Sequence, residues 1–404
     1  MKVLQVLEPG CDGVFRHVET LVAFLRAAGA EVDLAYSSVR PSAGLTALIE
    51  RMTREGARTV DLRVGPGLCF ADLPAAARLI RLCRSKRYDV VHAHSSKAGG
   101  LVRLLSPVLK ADKIFYTPNA YFGMNRNHDI RTRIYTLAER LLASVGTTIN
   151  VSIDEAEFGR RFLKLQSGKS KIIPNSVDSN WFVPATSVAR TRARREFAVS
   201  SNQILIGYAS RFSPQKDPLV ALESFRQCAL TNPRLHLLYL CKGSLLADAH
   251  AFLMEAGIVD RVTFADYRED VRSFYHSLDL FLLTSRYEAG WPFVIIEAMS
   301  CGLPLVTSVC SGMSDVTAAG LTHCWTFQVG SVDGCVAALK AAVQTDTHTK
   351  SNHRLIVENR FSSSACFGKL LGLYAAPAAD GNATVGRVAL HDHCSEERRS
   401  GAYR

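Results

Sequence analysis

Gly207-Tyr-Ala-Ser-Arg211-Phe-Ser-Pro-Gln-Lys216-Asp-Pro218 decides how this chain is read. The run that leads into it, 203–209, is short, apolar and β-branched, and reads as a buried strand. A turn carrying Arg211 and Lys216 follows. Pro218, whose ring pre-sets the backbone for a first helical turn, then opens an apolar stretch to residue 230. Strand, cationic turn and helix make one βα unit. Two cations beside a helix N-terminus form a site for a diphosphate, because the free N–H groups there already favour an anion.

The same alternation runs outward in both directions. Towards the N-terminus, strands are expected at 2–7, 31–36, 89–92, 113–117 and 147–151, with helices at 16–28, 73–84, 97–105 and 131–144. Val18, Leu21, Val22 and Leu25 show the helical spacing in the first of these. Towards the C-terminus, strands are expected at 235–240, 262–264, 280–283 and 305–307, with helices at 246–256, 271–278 and 293–300. Between the two runs lies an irregular segment with Pro174, Asn175, Asp178, Pro184 and the arginine-rich 190–195. The fold class is therefore α/β: two doubly wound, Rossmann-like parallel-sheet domains facing a cleft. The expected boundaries are an N-terminal acceptor-binding domain at 1–185, a C-terminal nucleotide-sugar domain at 186–360, a C-terminal helix at 361–375 and a disordered tail at 376–404.

Composition narrows the function classes. The 404 residues are 48% hydrophobic and 21% charged, the balance of a folded globular protein. The eleven cysteines are odd in number, with no C-x-x-C pair, so neither a disulfide framework nor a zinc ribbon is expected and the compartment is read as reducing. Met1–Glu8 reads as a strand rather than a signal peptide, and no apolar run is long enough to span a bilayer. A cytoplasmic protein is expected. Residues 1–180 carry 26 Lys+Arg against 17 Asp+Glu, whereas the rest carry 22 against 20. The basic first half suits an anionic partner (a phospholipid surface, a phosphorylated acceptor or nucleic acid) or serves solubility alone; for peripheral contact with an anionic membrane face the helix bearing Arg133 and Arg140 is one candidate. No aromatic signature for nucleic acid accompanies the charge. In the tail, Asn382-Ala-Thr is a sequon without meaning in a reducing compartment, and His391-Asp-His-Cys394 has no structural context for a metal.

Three further motifs carry chemistry. Gly10-Cys-Asp-Gly13 lies between the first strand and the first helix, where glycines let the backbone approach a phosphate; it is not G-x-G-x-x-G, which disfavours a nicotinamide cofactor. His92-Ala-His94-Ser-Ser-Lys97 ends a buried strand and opens a helix, so His92 and His94 share one side of the strand and Lys97 reaches an anion. Glu288-Ala-Gly-Trp-Pro-Phe-Val-Ile-Ile-Glu297 puts one carboxylate in a loop and another in an apolar helix. A carboxylate in that setting needs a partner or a cleft. Two carboxylates near two cations suit the hydroxyls of a sugar or ribose.

The combination of 207–218 with 288–304 resembles the nucleotide-sugar half of the family 4 glycosyltransferases of GT-B fold. Val151-Ser-Ile-Asp-Glu155, Ile173-Pro-Asn175-Ser-Val-Asp178, the turn at Gly243, Asp270-Val271 and 360–374 are similar too, so the resemblance covers about residues 1–375. It implies a retaining hexosyl transfer from a UDP- or GDP-linked sugar, with no cofactor and no metal. The implied acceptor is a saccharide, polyprenyl-linked, in surface or exported polysaccharide synthesis. Carried over, Arg211 and Lys216 would hold the diphosphate and Glu297 the ribose. Glu288 would contact the sugar. Gly290, Trp291, Pro292, Phe293, Gly243, Asp270, Val271, Gly10 and Gly13 would flank the donor. His92, His94, Lys97 and Asn119 would face the acceptor, with His94 in a catalytic role. Two departures stand out. Eight residues separate the glutamates where the family has seven, and Asn119 follows Thr-Pro where relatives commonly carry a histidine. A nucleotide-sugar epimerase of the same fold is one alternative reading, and a non-catalytic basic binding protein another. The latter leaves Glu297 in its apolar helix unexplained.

Overall fold

A computed structural model describes residues 1–377 except 68–71, 126–128, 244, 267, 269 and 346–350; at 125, 241 and 242 it describes the backbone alone. The expected tail from 378 on, with Asn382 and His391–Cys394, lies outside the described residues.

Two parallel sheets form, as the β-α alternation predicts. The first contains β1 (Lys2–Leu7), β2 (Glu31–Tyr36), β3 (Thr59–Asp61), β4 (Tyr88–His94), β5 (Ala111–Thr117), β6 (Thr147–Asn150) and β7 (Ser170–Ile172), in the order β3-β2-β1-β4-β5-β6-β7. The second contains β8 (Ile204–Arg211), β9 (Leu235–Lys242), β10 (Val262–Ala265), β11 (Leu280–Leu283), β12 (Leu305–Val309) and β13 (Cys324–Gln328), in the order β10-β9-β8-β11-β12-β13. The strands are apolar on both faces because helices cover both. Val3, Leu7 and Val90 pack into one layer, Leu4, Val6 and Val91 into the other. Strand order reverses between β1 and β4 and again between β8 and β11, and such a reversal opens a crevice at the carboxyl ends of the strands.

Side-chain caps mark where many helices begin. Ser42, Asp129, Ser152, Thr186, Ser331 and Ser362 each accept a hydrogen bond from the amide three residues on. Several elements escaped the sequence reading. They are the helix Ala43–Arg54, β3, the helix Ile153–Phe162, β7, β13 and the helix Val332–Gln344; of these, β3 and β7 have only three residues each. The arginine-rich segment read as irregular is a helix, Ser187–Glu196. Arg190 and Arg194 point from it onto Asp279, at 2.5 and 3.0 Å, so its charges are tied into the second lobe.

The C-terminal helix, Ser363–Ala375, crosses back to the first lobe. Its Cys366, Phe367, Leu370 and Tyr374 enter the same apolar layer as Val18, Leu21 and Phe115. Val177 and Ser362 pair as an isolated parallel bridge where the two crossing segments meet. Among the described residues, no helix is long and apolar enough to cross a membrane.

Candidate active site

The two crevices face one another. After β1, the loop holding Gly10 is wedged so tightly that a Cβ there would sit 2.3 Å from Leu45. The helix Asp12–Ala27 begins at once, its N-terminus aimed at the second lobe. Asp12 Oδ2 lies 3.7 Å from Arg211 Nη1 at the carboxyl end of β8. Gly13 meets the ring of Phe293, where a Cβ would be 3.6 Å away. One turn on, Arg16 Nη2 sits 2.5 Å from Glu297 Oε1, and its guanidinium lies 5.5 Å from the Phe293 centroid.

In the second lobe, the cationic turn is held rigidly. The Tyr208 hydroxyl donates to the Lys216 carbonyl at 2.5 Å, and Thr284 Oγ1 donates to the Lys216 and Asp217 carbonyls at 3.0 and 2.8 Å. Asp217 adopts φ 49°, and its carboxylate takes Arg286 Nε at 2.8 Å. Lys216 Nζ is ion-paired with Glu288 Oε1, which also accepts Ser285 Oγ at 2.6 Å. Both side chains are largely buried. Arg211 is half-exposed and projects into the gap.

The loop between the two glutamates is anchored at both ends. The Glu288 amide donates to Ser311 O at 2.7 Å, which anchors the first carboxylate, and the helix Phe293–Ser300 anchors the second. Between them, Ala289 and Gly290 lie against the first lobe. Ala289 O accepts Ser152 Oγ at 2.6 Å, and a Cβ on Gly290 would lie 2.6 Å from Val151 O. Glu288 is paired with Lys216 all the same.

Glu297 is fully buried. Besides Arg16 it accepts the Tyr275 hydroxyl at 2.6 Å. Burial, and then the neighbouring Glu297, push the Tyr275 phenol well above its ordinary range, so it stays a donor. Tyr275 belongs to the helix Arg272–Ser277, whose cap is Val271; Asp270 ion-pairs with Arg272 at 2.6 Å in the same turn. Gly243, at φ 148°, abuts the Phe212 backbone just past Arg211, where a Cβ would be 2.4 Å from Phe212 O. The Trp291 side chain turns inward onto Phe361, its Nε1 donating to Asp315 at 2.8 Å. Pro292 caps the Glu297 helix.

The residues expected on the acceptor side divide. His92 and His94 are fully buried, a correction to their expected exposure to acceptor. His92 is hydrogen-bonded to the Tyr374 hydroxyl and to Thr117 at 2.8 Å, and His94 Nε2 to Gln5 at 2.7 Å. The returning C-terminal helix covers them, which strand alternation alone could not reveal. Burial holds both imidazoles well below their ordinary pKa, so they are neutral. Lys97 is used as a strut to Asp72, at 2.5 Å, and to the Gly67 carbonyl. Asn119 stays at the sheet edge after β5, at φ 53°. Glu155 supports that turn by accepting the Ala120 and Val151 amides at 2.7 and 2.6 Å, and burial pushes its carboxyl up to about 8.

Several residues here were not singled out from sequence. Asp12 lies within the Gly10–Gly13 motif and Arg16 one turn past it, and that position was the available signal. His17, buried against His94 and Phe367, and Tyr275, on Glu297, carried none, because only packing brings them to these neighbours. Asn175 Nδ2 donates to Trp291 O at 3.2 Å across the lobes. Asp154 does likewise, accepting the Gly312 amide and the Ser314 hydroxyl at 2.7 Å each.

Comparison with known proteins agrees with this architecture. The family described as "Glycosyl transferases group 1" matches residues 203–345, and "Glycosyltransferase Family 4" matches 11–181. The chain is 26% identical over 257 residues to the UDP-Gal:alpha-D-GlcNAc-diphosphoundecaprenol alpha-1,3-galactosyltransferase of Escherichia coli, covering 61% of this chain and 66% of that protein, just under two thirds of its length. It is 24% identical to the D-inositol 3-phosphate glycosyltransferase of Corynebacterium jeikeium, over 76% of this chain and 78% of that one. Among solved structures, Anabaena HepE in complex with UDP and glucose superposes with a TM-score of 0.78 at 17% identity, covering 93% of this chain and all of the other. The sucrose-phosphate synthase of Thermosynechococcus elongatus gives 0.75 at 18% identity, covering 93% and 98%.

Proposed function

The chain belongs to the glycosyltransferases of GT-B type, and from that premise we propose that it transfers a hexosyl unit, with retention, from a UDP- or GDP-linked sugar to a lipid-linked saccharide. The setting is synthesis of a surface or exported polysaccharide at the cytoplasmic face of a membrane. One observation carries the reading: Arg211 meets the helix N-terminus at Asp12 across the gap between two facing strand-order reversals, Lys216 of the same turn is paired with Glu288, and Arg16 reaches Glu297 from the other lobe. The relative named for a diphosphoundecaprenol-linked acceptor supports the acceptor class.

The chemistry follows from charge. As the anomeric C–O bond breaks, negative charge grows on the departing diphosphate. Arg211, Lys216 and the N-terminus at Asp12–Gly13 are already positioned there, so little reorganisation is needed as it grows. The acceptor hydroxyl forms its bond to the anomeric carbon on the face the diphosphate leaves and gives its proton to that phosphate. This suits a site where Asn119, which cannot serve as a base, stands at the acceptor edge. No metal is needed in this scheme, since the cations take its electrostatic role.

Thermal-shift titration with UDP, GDP and their sugars tests the donor site. At about 100 times Kd a ligand stabilises by roughly 2.7 kcal/mol. Arg211→Ala and Lys216→Ala are each expected to abolish that shift, measured from each variant's own melting temperature. An undiminished shift in both would remove the donor assignment.

A further inference from the structure

We propose that Glu155 is a positioning residue of the transfer: it ties the acceptor-edge turn Asn119–Ala120 to the loop that carries Glu288 in the other lobe, so that a nucleotide in the donor site orders the acceptor side. The proposal rests on the donor reading above and adds a named connection between the two half-sites.

The connection is the start of the helix Ile153–Phe162. Ser152 caps it, and Asp154 and Glu155 lie in its first turn. Each of the three reaches a different partner. Ser152 Oγ accepts the Glu155 amide at 3.0 Å and donates to Ala289 O at 2.6 Å. Asp154 accepts the Gly312 and Ser314 amides at 2.7 and 3.2 Å. Gly312 is pressed against the Glu288 carbonyl, where a Cβ would be 2.3 Å away. Two of the three residues therefore hold the loop of Glu288 from both sides.

Glu155 turns the other way. It is fully buried and offers one oxygen to each of two amides. Oε1 accepts Ala120 N at 2.7 Å, and Oε2 accepts Val151 N at 2.6 Å. Asn119 and Ala120 have φ 53° and 87°. Two successive left-handed residues with side chains are costly, and persist where their surroundings over-determine them. Glu155 supplies part of that restraint. The next residue, Tyr121, supplies more, its ring stacked on Phe158 of the same helix with centroids 5.6 Å apart. Val151, the second amide, is the residue whose carbonyl abuts Gly290. One carboxylate thus spans from the acceptor-edge turn to the backbone on which the Glu288 loop rests.

Its two-oxygen grip makes the connection separable. A carboxylate accepts at both oxygens, whereas a carboxamide of the same shape accepts at one and presents a donor at the other. Glu155→Gln therefore releases one of the two amides while filling the same space. Burial pushes the carboxyl of Glu155 up, so the neutral side chain sheds a desolvation cost as it gives up that hydrogen bond.

The test is amide hydrogen exchange, read by mass spectrometry on the full chain with and without UDP. Without ligand, Glu155→Gln should speed exchange in 118–124 by about tenfold or more, as expected for a lost hydrogen bond to a charged group. With UDP, the parent should gain protection in both 286–296 and 118–124. In Glu155→Gln the gain should persist in 286–296 and be lost in 118–124, which a residue that merely stabilises the first lobe would not produce. Ser152→Ala cuts the connection on the donor side with Glu155 in place, and should lose the same distant protection; it keeps the test decisive should the glutamine variant fold poorly. UDP that protects neither segment of the parent would remove the donor assignment, with the ligand-free comparison still reporting on the Glu155 bridge. Three results would overturn the proposal: ligand-free exchange in 118–124 unchanged by Glu155→Gln, parental protection confined to 286–296, or protection of 118–124 undiminished in both variants.

Discussion

Glu297 shows how one residue's meaning changes between a string and a fold. In sequence it is a carboxylate in an apolar helix that must have a partner. In the structure it has two, Arg16 from the other lobe and Tyr275 from its own. Its demand for a partner was legible; the partners were not, because they lie 281 and 22 residues away along the chain. The histidines carry the reverse lesson. His92 and His94 look reactive on a strand end, yet with His17 they form a buried neutral group, the His92 and His94 rings 4.1 Å apart. Burial holds His17 down to about 4 from an ordinary 6.5. Between those values the unfolded chain binds a proton there that the folded chain does not, so stability rises with pH through that window and is lost as pH falls. His17→Gln is expected to flatten the dependence of unfolding free energy on pH between 4 and 6.5 by up to about 1.4 kcal/mol per pH unit. Denaturant unfolding at several pH values measures this, and an unchanged slope would contradict the assigned burial of a neutral imidazole.

Elements show where local signals suffice. The run 280–283 is the strand the pattern predicts, and the helix Phe293–Ser300 begins and ends where expected, because strong apolar runs bounded by turn residues leave little choice. The helix Ser187–Glu196 was missed because its arginines mask its periodicity; contacts to Asp279 give those charges a reason to be there. The contact of Ala289 and Gly290 with the first lobe belongs to this scale as well. The spacing of the two glutamates announced an extra residue, but only the fold shows Gly290 pressed against Val151. Gly290→Ala would drive a Cβ to 2.6 Å from Val151 O. We expect it to cost about 1–3 kcal/mol of stability, the usual range for overpacking. We also expect it to lower transfer activity by moving the loop that carries Glu288. Full activity with parental stability would mean that the loop yields freely.

At the scale of the molecule, the lobes are joined by polar contacts across the gap and by the return of the C-terminal helix. That helix places Phe367 against the His17 ring, 5.6 Å between centroids, and Tyr374 on His92. The helix Ser363–Ala375 therefore completes the core of the first lobe. Phe367→Ala should destabilise the first lobe by about 3–5 kcal/mol, the range for emptying a buried phenylalanine site. Calorimetry would show this as a lowered transition, whereas a change within about 0.5 kcal/mol would mean that the helix is a dispensable appendage.

The alternation of apolar runs with helical periods was enough to determine two parallel-sheet lobes, because side-chain burial on both faces is written into every strand. The cationic turn and the paired carboxylates were legible for the same reason: each breaks the pattern of its own element. Which of these groups meet and which histidines vanish into the interior were decided by tertiary structure. Those outcomes depend on how separate elements are laid against one another, and contacts made across tens to hundreds of residues leave no periodic trace in the chain that makes them.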